Sequence, residues 1–165
     1  MLRLSKKADY ALIAMNHLAR KQVPCASTSA RDIAERYDIP IELMAKVLQR
    51  LVRTGLLVST QGTRGGYTLS RPSGSISVAD VIQAIDGPFT VTACSTDKHD
   101  CDQYNKCNVR GPLWQIRERI VATLGMVSIA EMAAESEPGQ AVAAELAVVR
   151  RTGMSASPGP GPRQG

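Results

Sequence analysis

The most constraining stretch of the chain is a helical pattern that ends at a glycine and passes at once into two short β-runs. Residues 41–54 place Met44, Val47, Leu48 and Leu51 on one side of a helix, and Glu42, Lys46, Gln49, Arg50 and Arg53 on the other. Pro40 suits the opening of that helix, and Gly55 suits a left-handed cap at its end. LLVSTQ (56–61) and YTLS (67–70) then flank GTRGG (62–66), which reads as a hairpin with a glycine-rich tip. A helix with so narrow an apolar face needs neighbours, and two helical segments precede it. Residues 4–20 repeat Leu4, Ala8, Ala11, Met15 and Leu18 at helical spacing behind a possible N-cap at Ser5. Residues 30–37 follow Ser29 and carry Asp32 in the first turn, where the helix dipole favours an acid. Three helices and a hairpin, with the second and third helices as a turn-coupled pair, predict a winged helix-turn-helix. The fold class is therefore mainly α with a small β-hairpin.

Beyond the hairpin, ISVADVIQAI (76–85) predicts a further helix with Ser77 as cap and Asp80 three residues on, and Asp86-Gly87-Pro88 ends it. Residues 91–111 form a polar loop. A longer helix from about Pro112 to Gly125 repeats Leu113, Ile116, Ile120 and Leu124, widened by Trp114 and Val121, a stripe suited to dimerisation. Ser128 to Glu131 is a capping box for a last short helix. The expected organisation is a DNA-binding domain over 1–90, a cysteine-bearing loop over 91–111, and a dimerisation segment over 112–135. A mostly disordered tail over 136–165 would follow, with a helical turn or two at 141–150. Apolar residues make up 44% of the 165 and aromatics only 4%, so the core must be built of Leu, Ile, Val, Ala and Met. No apolar run approaches the ~18 residues of a membrane span. The charges at Lys6, Lys7 and Asp9 argue against a secretory leader, and the expected location is cytoplasmic.

Charge is unevenly placed. Residues 1–90 hold twelve Lys and Arg against seven Asp and Glu, whereas residues 91–165 are balanced at eight each, so the net +5 lies wholly in the first part. A polyanion partner there is expected. The polar face of the third helix is the natural reading head. Glu42, Leu43 and Lys46 near its start are placed to read base edges in double-stranded DNA, while Arg50 and Arg53 continue the cationic side. Arg64 at the wing tip is placed to enter a minor groove, and Lys6 and Lys7 to touch phosphate. The two histidines have no nucleophile–base–orienter arrangement and no phosphate-binding loop occurs, so an enzyme is not expected.

Cys94, Cys101 and Cys107 are spaced C-x6-C-x5-C in the polar loop. Thiolates are soft ligands for iron–sulphur clusters and zinc. Compact zinc sites use closely spaced pairs such as C-x2-C, and none occurs here, so the wider spacing favours a cluster. A zinc site or a thiol redox switch is the alternative. Cys25, far off in a loop, reads as structural, as does His17 on the first helix.

LxLSKKADYAL, ARDIAERYDIP, LQRLVRTGLLVS, QGTRGGYTLSRP and ISVADVIQAIDGP, together with the three-cysteine loop ahead of a Trp-containing helix, resemble the winged-helix repressors of the IscR and NsrR type. The regulators of the SUF iron–sulphur assembly operon look closest, and the resemblance spans about residues 1–135. It implies a homodimer on a palindromic operator, acting as a repressor. It also implies a 2Fe–2S or 4Fe–4S cluster on the three cysteines, sensing iron–sulphur, redox or nitric oxide status. A histidine shortly after the third cysteine completes the IscR-like site, but here Arg110 stands three residues after Cys107. The NsrR-like arrangement instead takes an aspartate of the partner's first helix, which matches Asp9, with His99 as the second choice. Family wings often carry Arg where this chain has Gln61, which moves the wing contact to Arg64.

Overall fold

A computed structural model describes residues 4–21, 27–62, 65–91, 102 and 105–135. Among these, helix α1 spans Lys6–Arg20, α2 Ala30–Arg36 and α3 Ile41–Arg53. Strands β1 (Leu57–Thr60) and β2 (Gly66–Leu69) form an antiparallel hairpin, pairing Leu57 with Leu69 and Thr60 with Gly66. A single 3₁₀ turn at Ser73–Ser75 leads to α4 (Val78–Asp86), and α5 (Arg110–Met126) and α6 (Ile129–Glu135) complete the described chain. The expected winged helix-turn-helix is present. The expected tail and the turns at 141–150 lie outside the described residues.

Local chemistry sets the helix limits. The Ser5 hydroxyl accepts from the Ala8 N–H at the start of α1. Ser29 with Asp32, and Ser77 with Asp80, form reciprocal capping boxes that satisfy the first orphan donors of α2 and α4. At the end of α3, the Gly55 N–H donates to the Val52 carbonyl (3.0 Å) and the Leu56 N–H to the Leu51 carbonyl (2.9 Å). These are the paired bonds of a Schellman motif, and Gly55 takes the φ of +75° that the motif requires. Leu51 and Leu56 are both buried, so the cap also joins the helix end to the core. α5 begins at Arg110, two residues before the expected Pro112. Proline is tolerated in a first helical turn because its missing N–H would have no intrahelical partner there.

The core lies between α1, α3 and α4. Ala11, Met15, Met44, Leu48, Leu51, Ile76 and Val81 are fully enclosed. Two features tie distant segments to it. Thr28 exchanges backbone bonds with Tyr67 (3.2 and 2.9 Å), adding one residue to the hairpin edge. Ser77 and Ser128 form a second isolated bridge through Val78 N–H to Val127 O (2.9 Å) and Ile129 N–H to Ile76 O (2.8 Å). Ile129, the first residue of α6, is fully buried in the same core. α5 by contrast buries no residue completely.

Candidate nucleic-acid interface and cysteine loop

The outer side of α3 carries the groups expected to read DNA. Glu42, Leu43, Lys46, Gln49, Arg50 and Arg53 are all exposed, because the buried quartet Met44, Val47, Leu48 and Leu51 turns the opposite side inward. Leu43, Lys46, Arg50 and Arg53 share a groove of 280 Å³ with Lys7 of α1 and Ile85 of α4. No carboxylate lines it. The fold thus brings together five of the proposed DNA contacts from two helices. Lys6 and Glu42 are exposed beside the groove but do not line it. Arg64 lies outside the described residues.

The last turn of α4 is the back wall of this surface. The Ala84 carbonyl accepts from Arg50 Nε at 2.9 Å, which fixes the arginine stem against α4. Asp86 accepts from both the backbone N–H (3.2 Å) and the hydroxyl (2.5 Å) of Ser5, the N-cap of α1. One short turn therefore positions the cationic residues of α1 and of α3, and it leads directly into the segment that carries the cysteines. Neither contact has a sequence signature: both join residues more than thirty positions apart.

The wing depends on close backbone approach. A Cβ on Gly66 would lie 2.7 Å from the Thr28 carbonyl oxygen and 2.8 Å from its carbon, so only glycine admits the Thr28–Tyr67 bridge. Gln61 is exposed at the start of the tip.

Of the proposed cluster ligands, Cys107 is a free, half-buried thiol three residues before α5. Cys94, His99 and Cys101 lie outside the described residues, as does Cys25. Among the described residues no three His, Cys, Asp or Glu side chains converge as a metal site. Asp9 is half-buried in the first turn of α1 and makes no ion pair or side-chain hydrogen bond with any described residue. The local pairing with Lys6 that would give Asp9 a merely structural role is thus not formed. A thiol at the foot of α5, with two more cysteines at positions 94 and 101 of the sequence, is soft ligand chemistry of the kind an iron–sulphur cluster takes.

His17 is buried and bonds the Tyr37 hydroxyl through Nδ1 at 3.2 Å, with the rings edge to face. Its Nε2 has no partner among the described residues. Burial, followed by the nearby charges of Lys21 and Arg36, holds its pKa below the ordinary histidine value, against an opposing pull from Asp32. It packs α1 against α2 and is remote in role from the DNA surface.

α5 leaves Trp114 (48% exposed) and Ile116 (46%) in solvent. Arg117 stacks on Trp114 at 5.0 Å, donates to the Phe89 carbonyl at 2.7 Å and pairs with Glu118. Among the described residues no helix is long and apolar enough to cross a membrane.

Residues 4–135 match the family model described as Rrf2, iron-dependent transcriptional regulator. The chain is 36% identical over 141 residues to the HTH-type transcriptional regulator IscR of Xenorhabdus nematophila, covering 82% of each chain. Among solved structures it resembles CymR, the global cysteine regulator of B. subtilis, with a TM-score of 0.67 at 25% identity, over 83% of this chain and all of that one. It also resembles T. potens IscR, with a TM-score of 0.64 at 26% identity, over 84% and 91%. These relatives are named as regulators, a non-enzymatic role. The chain belongs to the Rrf2 family of DNA-binding transcriptional regulators and is IscR-like within it.

Proposed function

We propose that the protein is a cytoplasmic homodimeric repressor whose affinity for a palindromic operator is set by an iron–sulphur cluster on Cys94, Cys101 and Cys107. The observation that carries the reading is the groove on α3. Four cations and no carboxylate line it, and its back wall is the α4 turn that runs into the cysteine loop. Glu42, Leu43 and Lys46 contact base edges, Lys46 also neutralising the phosphate beside it, Arg50 and Arg53 extend the cationic side, and Lys6, Lys7 and the wing residue Arg64 hold the sugar–phosphate backbone. The exposed Trp114 and Ile116, with the half-exposed Leu113 and Ile120, form the dimer face of α5.

The fourth ligand is Asp9 of the partner subunit, with His99 as the alternative. The cluster, when bound, supplies a redox- and iron-sensitive tie between the two subunits. Asp9 then anchors α1, and Ser5 and Asp86 link α1 to the last turn of α4. Loss of the tie alters the spacing of the two α3 helices, and half-sites one helical turn apart tolerate little change in spacing.

Anaerobic purification tests this. The expected product is brown, with iron and acid-labile sulphide, and is bleached by air or nitric oxide. Asp9→Ala is expected to speed cluster loss while leaving the helical circular-dichroism signal intact. A colourless protein with one zinc per subunit, or one whose operator binding responds to thiol oxidants alone, would assign the loop to a zinc site or a thiol switch. The likeness to CymR, a global cysteine regulator, is what favours that second reading.

A further inference from the structure

The first turn of α3 exposes two large apolar side chains that the core does not use. Ile41 is 44% and Leu43 37% exposed, and they stand on either side of Glu42 in sequence. Scattered apolar residues are common on protein surfaces, so exposure alone says little. Placement says more. Leu43 opens into the groove lined by Lys7, Lys46, Arg50 and Arg53. Ile41 opens on the other flank, into a shallow depression shared by Ile39 and Pro40 and by the charged Arg31, Glu35 and Asp38.

A surface with apolar groups at its tip, and with cations beside one of them, Leu43, matches the DNA major groove. Phosphates border that groove, and the 5-methyl of thymine is the one apolar group displayed on a base edge within it. An apolar protein surface would leave the four cations without counter-charge, whereas a duplex satisfies both parts of the surface at once.

We infer that Ile41 and Leu43 read thymine 5-methyl groups, so that each operator half-site carries a thymine on either side of the base pair facing Glu42. The inference rests on the DNA-binding reading and adds to it the chemistry that selects sequence. Apolar contact discriminates thymine from cytosine and from uracil, whereas charge neutralisation of phosphate by the surrounding cations is indifferent to sequence.

The test uses the full chain, prepared without oxygen, and a duplex that it enriches from a random library. Each thymine of the half-site is replaced singly by deoxyuridine, which removes only the methyl group. Two positions per half-site are expected at which binding weakens about fourfold, the worth of one buried methyl-sized group. The salt dependence of binding is expected to stay unchanged at both. Leu43→Ala is expected to abolish the penalty at one position and Ile41→Ala at the other, because the contact is then already lost. Neutral replacement at every thymine overturns the inference, as does a penalty that persists in both variants. Failure to enrich any duplex would instead overturn the DNA-binding reading itself.

Discussion

Replacing Lys46 by alanine gives a direct measure of the electrostatic part of recognition. Lys46 is exposed on α3, lines the cationic groove, and makes no hydrogen bond or ion pair with any described residue. Its removal is therefore expected to change folding stability by no more than about 0.5 kcal/mol. Each phosphate neutralised on duplex DNA adds about 0.9 to the slope of log affinity against log salt. If Lys7, Lys46, Arg50 and Arg53 all engage phosphate in both subunits, the slope is about −7. Loss of Lys46 from both subunits lowers its magnitude by about 1.8. Between about 50 and 200 mM salt the variant should lose roughly tenfold less affinity than the parent. Fluorescence anisotropy of a labelled operator across that range reads the slope. An unchanged slope would remove Lys46 from the phosphate contacts and weaken the case for the groove as the docking surface.

Gly66→Ala is expected to break the Thr28–Tyr67 bridge and cost about 2 kcal/mol, from two backbone hydrogen bonds at about 1 kcal/mol each; urea denaturation that shifted by less than a quarter of this would show that the wing does not need the close approach. Ile129→Ala should destabilise by about 2–5 kcal/mol, as for any enclosed isoleucine. A surface-like effect would mean that α6 is not part of the core. The depressed pKa of His17 means that, as pH falls below the ordinary histidine range, the unfolded chain binds a proton that the folded chain resists. Stability should therefore fall as pH drops through about 6.5, and His17→Gln should flatten that limb of a melting-temperature profile. An identical profile in the variant would assign the limb to other groups.

The parts of the fold written in short-range chemistry were legible in the sequence. Ser29 and Asp32, Ser77 and Asp80, and Ser128 and Glu131 each sit three residues apart, and each pair caps a helix. Gly55 ends α3, and the helix's two faces divide as the periodicity predicts. What could not be read is what joins distant positions. A single bridging residue such as Thr28 has no periodicity to detect. The burial of Ile129 depends on Ile76 bonding to it across some fifty positions. The bond from Arg50 to Ala84 gives that arginine a structural duty beside its exposed placement, which charge counting alone does not reveal. For the cysteine loop, the spacing of three thiols suggests the chemistry, and of the proposed ligands Cys107 and Asp9 lie among the described residues without converging on a common site. Cys94, Cys101, His99 and Arg64 fall outside the described residues, so their roles rest on the sequence pattern.

Whether metal held by the three-cysteine loop governs grip on DNA is decided by titrating one labelled operator with the same anaerobic preparation before and after chelation of its iron, with the dimer concentration held constant. A change in Kd of tenfold or more, abolished by Cys107→Ser, is predicted. Equal Kd values for the iron-bearing and iron-stripped protein would contradict the account and leave a regulator whose DNA binding is indifferent to the loop.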